Sequence, residues 1–106
     1  MSRVTASAIL KFAESVIGKK LQTLHRKNYF SVEIQGDALI YTPLSTGKPR
    51  LHQKKVIHRV CVEFNKAPID QRLMPSHYVS QSTVNASYTL KLIAMYLESI
   101  SGKGKS

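Results

Sequence analysis

Cysteine is almost missing from this chain. Cys61 is the only one in 106 residues, which excludes an intramolecular disulfide and a thiolate metal cluster within one chain. Set between Val60 and Val62, it reads as a small buried hydrophobe and not as a reactive thiol. Long apolar runs are missing as well: no uncharged apolar stretch comes near the ~20 residues that span a bilayer, so no membrane partner is expected. Lys11 and Glu14 interrupt the apolar run near the N-terminus, which favours a capped helix there over a secretory leader or a presequence. The lack of a disulfide framework fits a reducing setting, and a cytoplasmic location is the expectation.

Acids are the second scarcity. Six Asp and Glu stand against sixteen Lys and Arg, giving a formal charge of +10 and a pI near 10.0. Glu33, Asp37, Glu63 and Asp70 are spread too widely to suggest a carboxylate pair for hydrolysis. His25, His52, His58 and His77 show no metal-ligand spacing, so neither a metal nor a cofactor is expected. Gly47-Lys48 invites comparison with a Walker loop, but Thr42 occupies the position of its first glycine. Pro49 stands where Ser or Thr would bind magnesium. No Gly-x-Ser-x-Gly elbow occurs. The sequence gives no catalytic constellation, and no enzyme is expected.

What is present is an ordinary apolar fraction of 42%, compatible with one folded domain over residues 1–100 and a flexible tail at 101–106. Thr5 or Ser7 can cap a helix over residues 5–17 whose apolar stripe is Ile9, Leu10, Ala13, Val16 and Ile17, with Gly18 as its stop. The period then shifts towards two. A weak strand is expected at 19–25, and Phe30, Val32 and Ile34 alternate with polar residues in a second at 30–35. After a Gly36-Asp37 turn, a third runs over 38–42 until Pro43 ends it. Ile57, Val60, Cys61 and Phe64 have helical spacing, giving a second helix over 51–65. Its β-branched residues make a strand a competitor there, which length argues against. A loop over 66–84 precedes a last helix capped by Asn85, with Ala86, Leu90, Ile93, Leu97 and Ile100 as its buried stripe. The expected fold class is α+β: a small three-stranded antiparallel sheet packed by about three helices, in the order α-β-β-β-α-α.

The cations are clustered along the chain. No acid occurs between Glu14 and Glu33, where Lys19, Lys20, Arg26 and Lys27 fall. None occurs between Asp37 and Glu63, where Lys48, Arg50, Lys54, Lys55 and Arg59 fall. Ordinary solvated surfaces mix both signs. Gly47 permits a tight backbone path, Lys48 and Arg50 carry mobile charge, and the following helix offers free N–H groups at its positive end. That combination suits a phosphate. His52, Lys54, Lys55 and Arg59 extend the surface, with Arg26 and Lys27 on a hairpin as a second cluster, and Tyr29 or Tyr41 could stack on an exposed base. The competing account is a basic turn leading into an amphipathic helix, with the tyrosines packed on the core. The expected function is nucleic-acid binding through phosphates, DNA ahead of RNA because no aromatic sheet signature for RNA is present. The alternative is an adaptor or small regulatory subunit that docks an acidic protein through the same residues.

The order helix, three strands, helix over residues 5–65 is similar to that of double-stranded-RNA-binding domains, in which a basic pair also lies near the start of the second helix, as Lys54-Lys55 does here. The Ala-rich second helix and the Gly-Pro loop of that family are absent from this sequence, and no functional residue is carried over from it.

Overall fold

The first helix begins where Thr5 stops being helical. Its backbone is extended, and its hydroxyl accepts a hydrogen bond from the Ala8 N–H, satisfying one of the donors that a helix start leaves orphaned. The computed structural model describes residues 4–24, 28–68, 72 and 86–101. Within them lie α1 (Ala6–Ala13), a 3-10 turn at Glu14–Val16, β1 (Leu21–Gln22), β2 (Tyr29–Gln35), β3 (Ala38–Pro43), β4 (Arg50–His52), α2 (Lys54–Lys66) and α3 (Ala86–Ser101). The four strands form one antiparallel sheet in the order β1-β2-β3-β4. The class is therefore α+β, as the hydrophobic periodicity implies.

Several boundaries differ from the sequence expectation; β1 shrinks to Leu21–Gln22 from the expected 19–25, and β3 takes in Pro43. The sheet has four strands and not three, because Arg50–His52 pairs with Tyr41, Ile40 and Leu39. The second helix consequently starts at Lys54 instead of residue 51 and runs to Lys66. At the other end, α1 tightens into a 3-10 turn before Gly18, whose φ of +81° favours glycine. Ile17 is left 47% exposed by that early exit, off the stripe expected for it. Helix α3 reaches Ser101, one residue into the segment expected to be a tail, and Ile100 is 39% exposed and not buried. The remaining tail residues, the Arg26-Lys27 hairpin, His25, Asn85, His77 and most of the 66–84 loop lie outside the described residues.

Strand alternation decides which face is covered. Phe30 and Val32 of β2, Leu39 and Tyr41 of β3 and His52 of β4 point to one side and are buried. The helices answer with Ile9, Ala13 and Val16, with Ile57, Val60, Cys61 and Phe64, and with Leu90, Leu92 and Ile93, all in one cluster. Each fully buried side chain of this kind contributes roughly 1.5–3 kcal/mol. On the opposite face, Tyr29, Glu33, Gln35 and Leu51 are exposed. Cys61 packs in the core as expected, and burial pushes its thiol up to about 12.

Two devices set the layout around the basic segments. Gly36, at φ +60°, opens the two-residue turn that joins β2 to β3 in register. Asn65, near the end of α2, grips the chain just before α1. Its Oδ1 accepts from the Val4 N–H at 2.9 Å, while its Nδ2 donates to the Val4 carbonyl at 2.8 Å. This pair of hydrogen bonds holds the chain entering α1 alongside the end of α2.

Candidate nucleic-acid interface

The loop between β3 and β4 is a hairpin connection, and glycine makes it possible. Gly47 has φ +68°, and its N–H closes onto the Pro43 carbonyl at 2.8 Å. The Lys48 N–H donates to the Thr46 hydroxyl at 3.2 Å. Lys48 and Arg50 are exposed beside this turn. They do not lead directly into a helix, as the sequence suggested, because β4 intervenes before α2.

A second group sits on α2. Gln53 is its N-cap but makes no side-chain capping bond, and the Gln53 carbonyl accepts from the Val56 and Ile57 N–H groups. The N–H groups of Lys54 and Lys55 have no acceptor within the helix, as its geometry requires. No acid occupies the first turn. Lys54, Lys55, His58 and Arg59 are all exposed, because Ile57, Val60, Cys61 and Phe64 take the buried stripe. The first turns of α1 and α2 flank a cleft of about 370 Å³, lined by Thr5, Ala6, Ser7, Lys54, Lys55 and His58.

The sequence-expected contacts therefore fall into two sets at opposite ends of β4. Lys48 and Arg50 share the hairpin end, whereas Lys54, Lys55 and Arg59 share α2. Among the described residues the ion pair is Lys66 with Glu63, at 3.9 Å on the last turns of α2. No carboxylate there reaches ion-pair distance of the five cations just named. His58 was not among the expected contacts. Its signal was available in the spacing, since it lies four residues after Lys54 and three after Lys55, on the same side of the helix.

His52 requires a correction. It was expected to extend the cationic surface, but it is 3% exposed, and its Nδ1 lies 3.0 Å from the Thr89 hydroxyl. Its Nε2 is buried with no hydrogen-bond partner. Burial lowers the imidazole from its ordinary 6.5 to about 4, so the ring is neutral near pH 7. The physical reason is strand alternation: His52 pairs with Leu39 and shares its inward face. Tyr41 is also fully buried, its hydroxyl 2.7 Å from the Thr89 oxygen, and cannot stack on a base. Tyr29 is 47% exposed, with the Lys20 ammonium 5.0 Å from its ring centre.

Comparison with protein-family models, with curated proteins and with solved structures returned no match. Among the described residues, no three His, Cys, Asp or Glu side chains group as a metal site would need. No described helix is long and apolar enough to cross a membrane.

Proposed function

We propose that this chain binds nucleic acid through its phosphates, duplex DNA in preference to RNA. The observation that carries the proposal is that Lys48, Arg50, Lys54, Lys55 and Arg59 are exposed without a carboxylate partner among the described residues. Unpaired cations repel one another and are costly to gather unless a polyanion compensates. Their spacing supports a duplex. Arg50 and Lys54 lie four positions apart, with β4 and Gln53 between them, so their backbones are at most about 13 Å apart, within reach of the phosphates that border a ~12 Å B-DNA major groove. DNA is preferred because among the described residues the outer sheet face exposes Tyr29 alone of the aromatics. Sheet-based RNA recognition stacks successive bases on several.

The test is a salt titration of a labelled duplex followed by anisotropy. If all five cations neutralise phosphates, log K falls against log salt with a slope of about −4.5, at −0.9 per phosphate. Affinity then drops roughly 500-fold between 50 and 200 mM salt. The pairs Lys48→Ala/Arg50→Ala and Lys55→Ala/Arg59→Ala each shallow the slope by about 1.8, with similar losses on every duplex sequence. A slope unchanged by both pairs rejects the assignment. Displacement of the duplex by poly-glutamate as readily as by unlabelled DNA transfers the surface to an acidic protein.

A further inference from the structure

We infer that the bare face of the sheet docks a second copy of this chain, about a two-fold axis that crosses the strands at Ser31 and Thr42. The inference does not rest on the nucleic-acid function proposed above, whose α2 cations belong to a helix packed on the opposite face.

Residues of all three helices pack against the face that carries Phe30, Val32, Leu39 and Tyr41. The other face is left with Tyr29, Ser31 and Glu33 of β2, Ile40 and Thr42 of β3 and Leu51 of β4. Leu44, just past β3, joins them. Tyr29, Leu44 and Leu51 are 47%, 48% and 53% exposed. Large apolar side chains gathered on one face mark an interaction surface. This face also escapes the excess of cations. Its strand residues carry one charge, Glu33, and the Lys20 ammonium joins it over the Tyr29 ring, 5.0 Å from the ring centre. On a chain of +10, a face of such balanced charge is where two copies can meet with least repulsion.

The register makes the face complementary to itself. The Leu44 N–H donates to the Tyr29 carbonyl at 3.0 Å. Ser31 pairs with Thr42, Glu33 with Ile40, and Ile40 with Leu51. Three rows therefore cross the strands: Tyr29 and Leu44 beside Lys20, then Ser31 and Thr42, then Glu33, Ile40 and Leu51. Successive rows are two residues apart, about 6.7 Å. A two-fold axis along the middle row lays the first row of one copy on the third row of the other. Lys20 then faces the partner's Glu33, and Leu44 faces the partner's Ile40 and Leu51. The hydroxyls of Ser31 and Thr42 meet at the axis, and the strands of the two sheets stay aligned, as face-to-face sheets prefer. Neither Lys20 nor Glu33 has an ion-pair partner among the described residues of its own chain. Four strands about 4.8 Å apart give a face only roughly 15 Å wide, small for a permanent dimer, so association depends on concentration.

Sedimentation equilibrium of the full chain, free of nucleic acid, reads that association. A dimer forming below about 1 mM is expected, with concentration-dependent amide shifts at Tyr29, Ser31, Thr42 and Leu44 and none along α2. Lys20→Glu and Glu33→Lys should each weaken it at least about tenfold, because the axis makes every like-charge contact occur twice. The double swap should return to within about threefold of the parent. Net charge alone predicts the opposite for Lys20→Glu, which lowers repulsion between copies. Nor can an intrachain contact explain the recovery, since the first and third rows lie about 13 Å apart, beyond the ~8 Å screening length at physiological salt. Both positions are exposed, and unchanged urea midpoints establish that the variants fold. A chain that stays monomeric at about 1 mM, a Lys20→Glu variant that associates as tightly as the parent, or a double swap without recovery overturns the inference. Shifts at Tyr29 and Leu44 on adding oligothymidine to the monomer, in place of self-association, give the face to stacked bases and overturn it too.

Discussion

Thr89 holds together the buried polar groups under β3 and β4, and its removal gives the sharpest test of the core. The Thr89 hydroxyl lies 2.7 Å from the Tyr41 hydroxyl and 3.0 Å from His52 Nδ1, and all three residues are buried. Thr89→Val keeps the shape and replaces the hydroxyl by a methyl. Tyr41 and His52 are then each left with a buried polar atom and no partner. Such a group costs about 1–3 kcal/mol, so the pair costs roughly 2–6 kcal/mol, offset by about 0.8 kcal/mol for the added methyl. A net loss near 3 kcal/mol is expected, a large fraction of the roughly 5–15 kcal/mol that holds a domain folded. Urea unfolding measures it as a lower midpoint at constant m. Tyr41→Phe in the same background removes one of the stranded groups. The double variant should therefore be clearly more stable than the sum of the two single losses implies. A Thr89→Val loss below about 0.5 kcal/mol, or strict additivity in the cycle, refutes the network as a source of stability.

Acid sensitivity follows from the same ring. His52 titrates near 4 when folded against 6.5 ordinarily, so below 6.5 the unfolded chain takes up a proton that the folded chain refuses. Stability is full above about pH 6.5, declines as pH falls and levels off near 4, a loss of roughly 2–4 kcal/mol from this group; a His52→Phe variant whose urea midpoint falls just as steeply over that window would show that His52 is not its source. Gln53→Asp supplies the capping acceptor that α2 lacks and should raise stability by about 1 kcal/mol while weakening duplex binding. Unchanged affinity in that variant would detach the α2 start from the phosphate contacts.

Where the sequence was legible, one element carried its own signal. The β2 alternation of Phe30 and Val32 with Ser31 and Glu33, and the Gly36-Asp37 turn, needed no tertiary context. Thr5 and the Ile9, Ala13 and Val16 stripe were equally plain. Strand β4 was not. Arg50, Leu51 and His52 are too few to display a period, and they abut a helix whose apolar spacing can be extended backwards across them. Only the ladder to Leu39, Ile40 and Tyr41 makes them a strand. The error at His52 descends from that one boundary. On a helix it would have continued an exposed basic face; on a strand beside Arg50 it turns into the core. Thr89 was invisible for a related reason. A threonine in an apolar stripe acquires meaning only through partners 37 and 48 positions away. The exposure of Lys54 and Lys55 was legible from the apolar stripe of Ile57, Val60, Cys61 and Phe64, but their position in the first turn of α2, which opposes local preference, was not, because the helix was expected to begin at residue 51.

That opposition is where the fold and the proposed chemistry meet. Cations in a helix's first turn sit at its positive end, at a cost of about 0.3–1 kcal/mol each, and an N-cap whose side chain makes no capping bond forgoes about 1 kcal/mol more. The start of α2 accepts both penalties, with Lys54 and Lys55 following an uncapped Gln53. By contrast, α1 opens with a capping Thr5 and no basic residue among Ala6, Ser7 and Ala8. Solubility does not explain the contrast, since a lysine anywhere on the exposed surface dissolves the chain as well. A ligand that brings its own negative charge does explain it. The uncapped N–H groups and the lysines, each unfavourable in the free protein, are then satisfied together by one anion. The same substitutions that strengthen the helix should therefore weaken the complex.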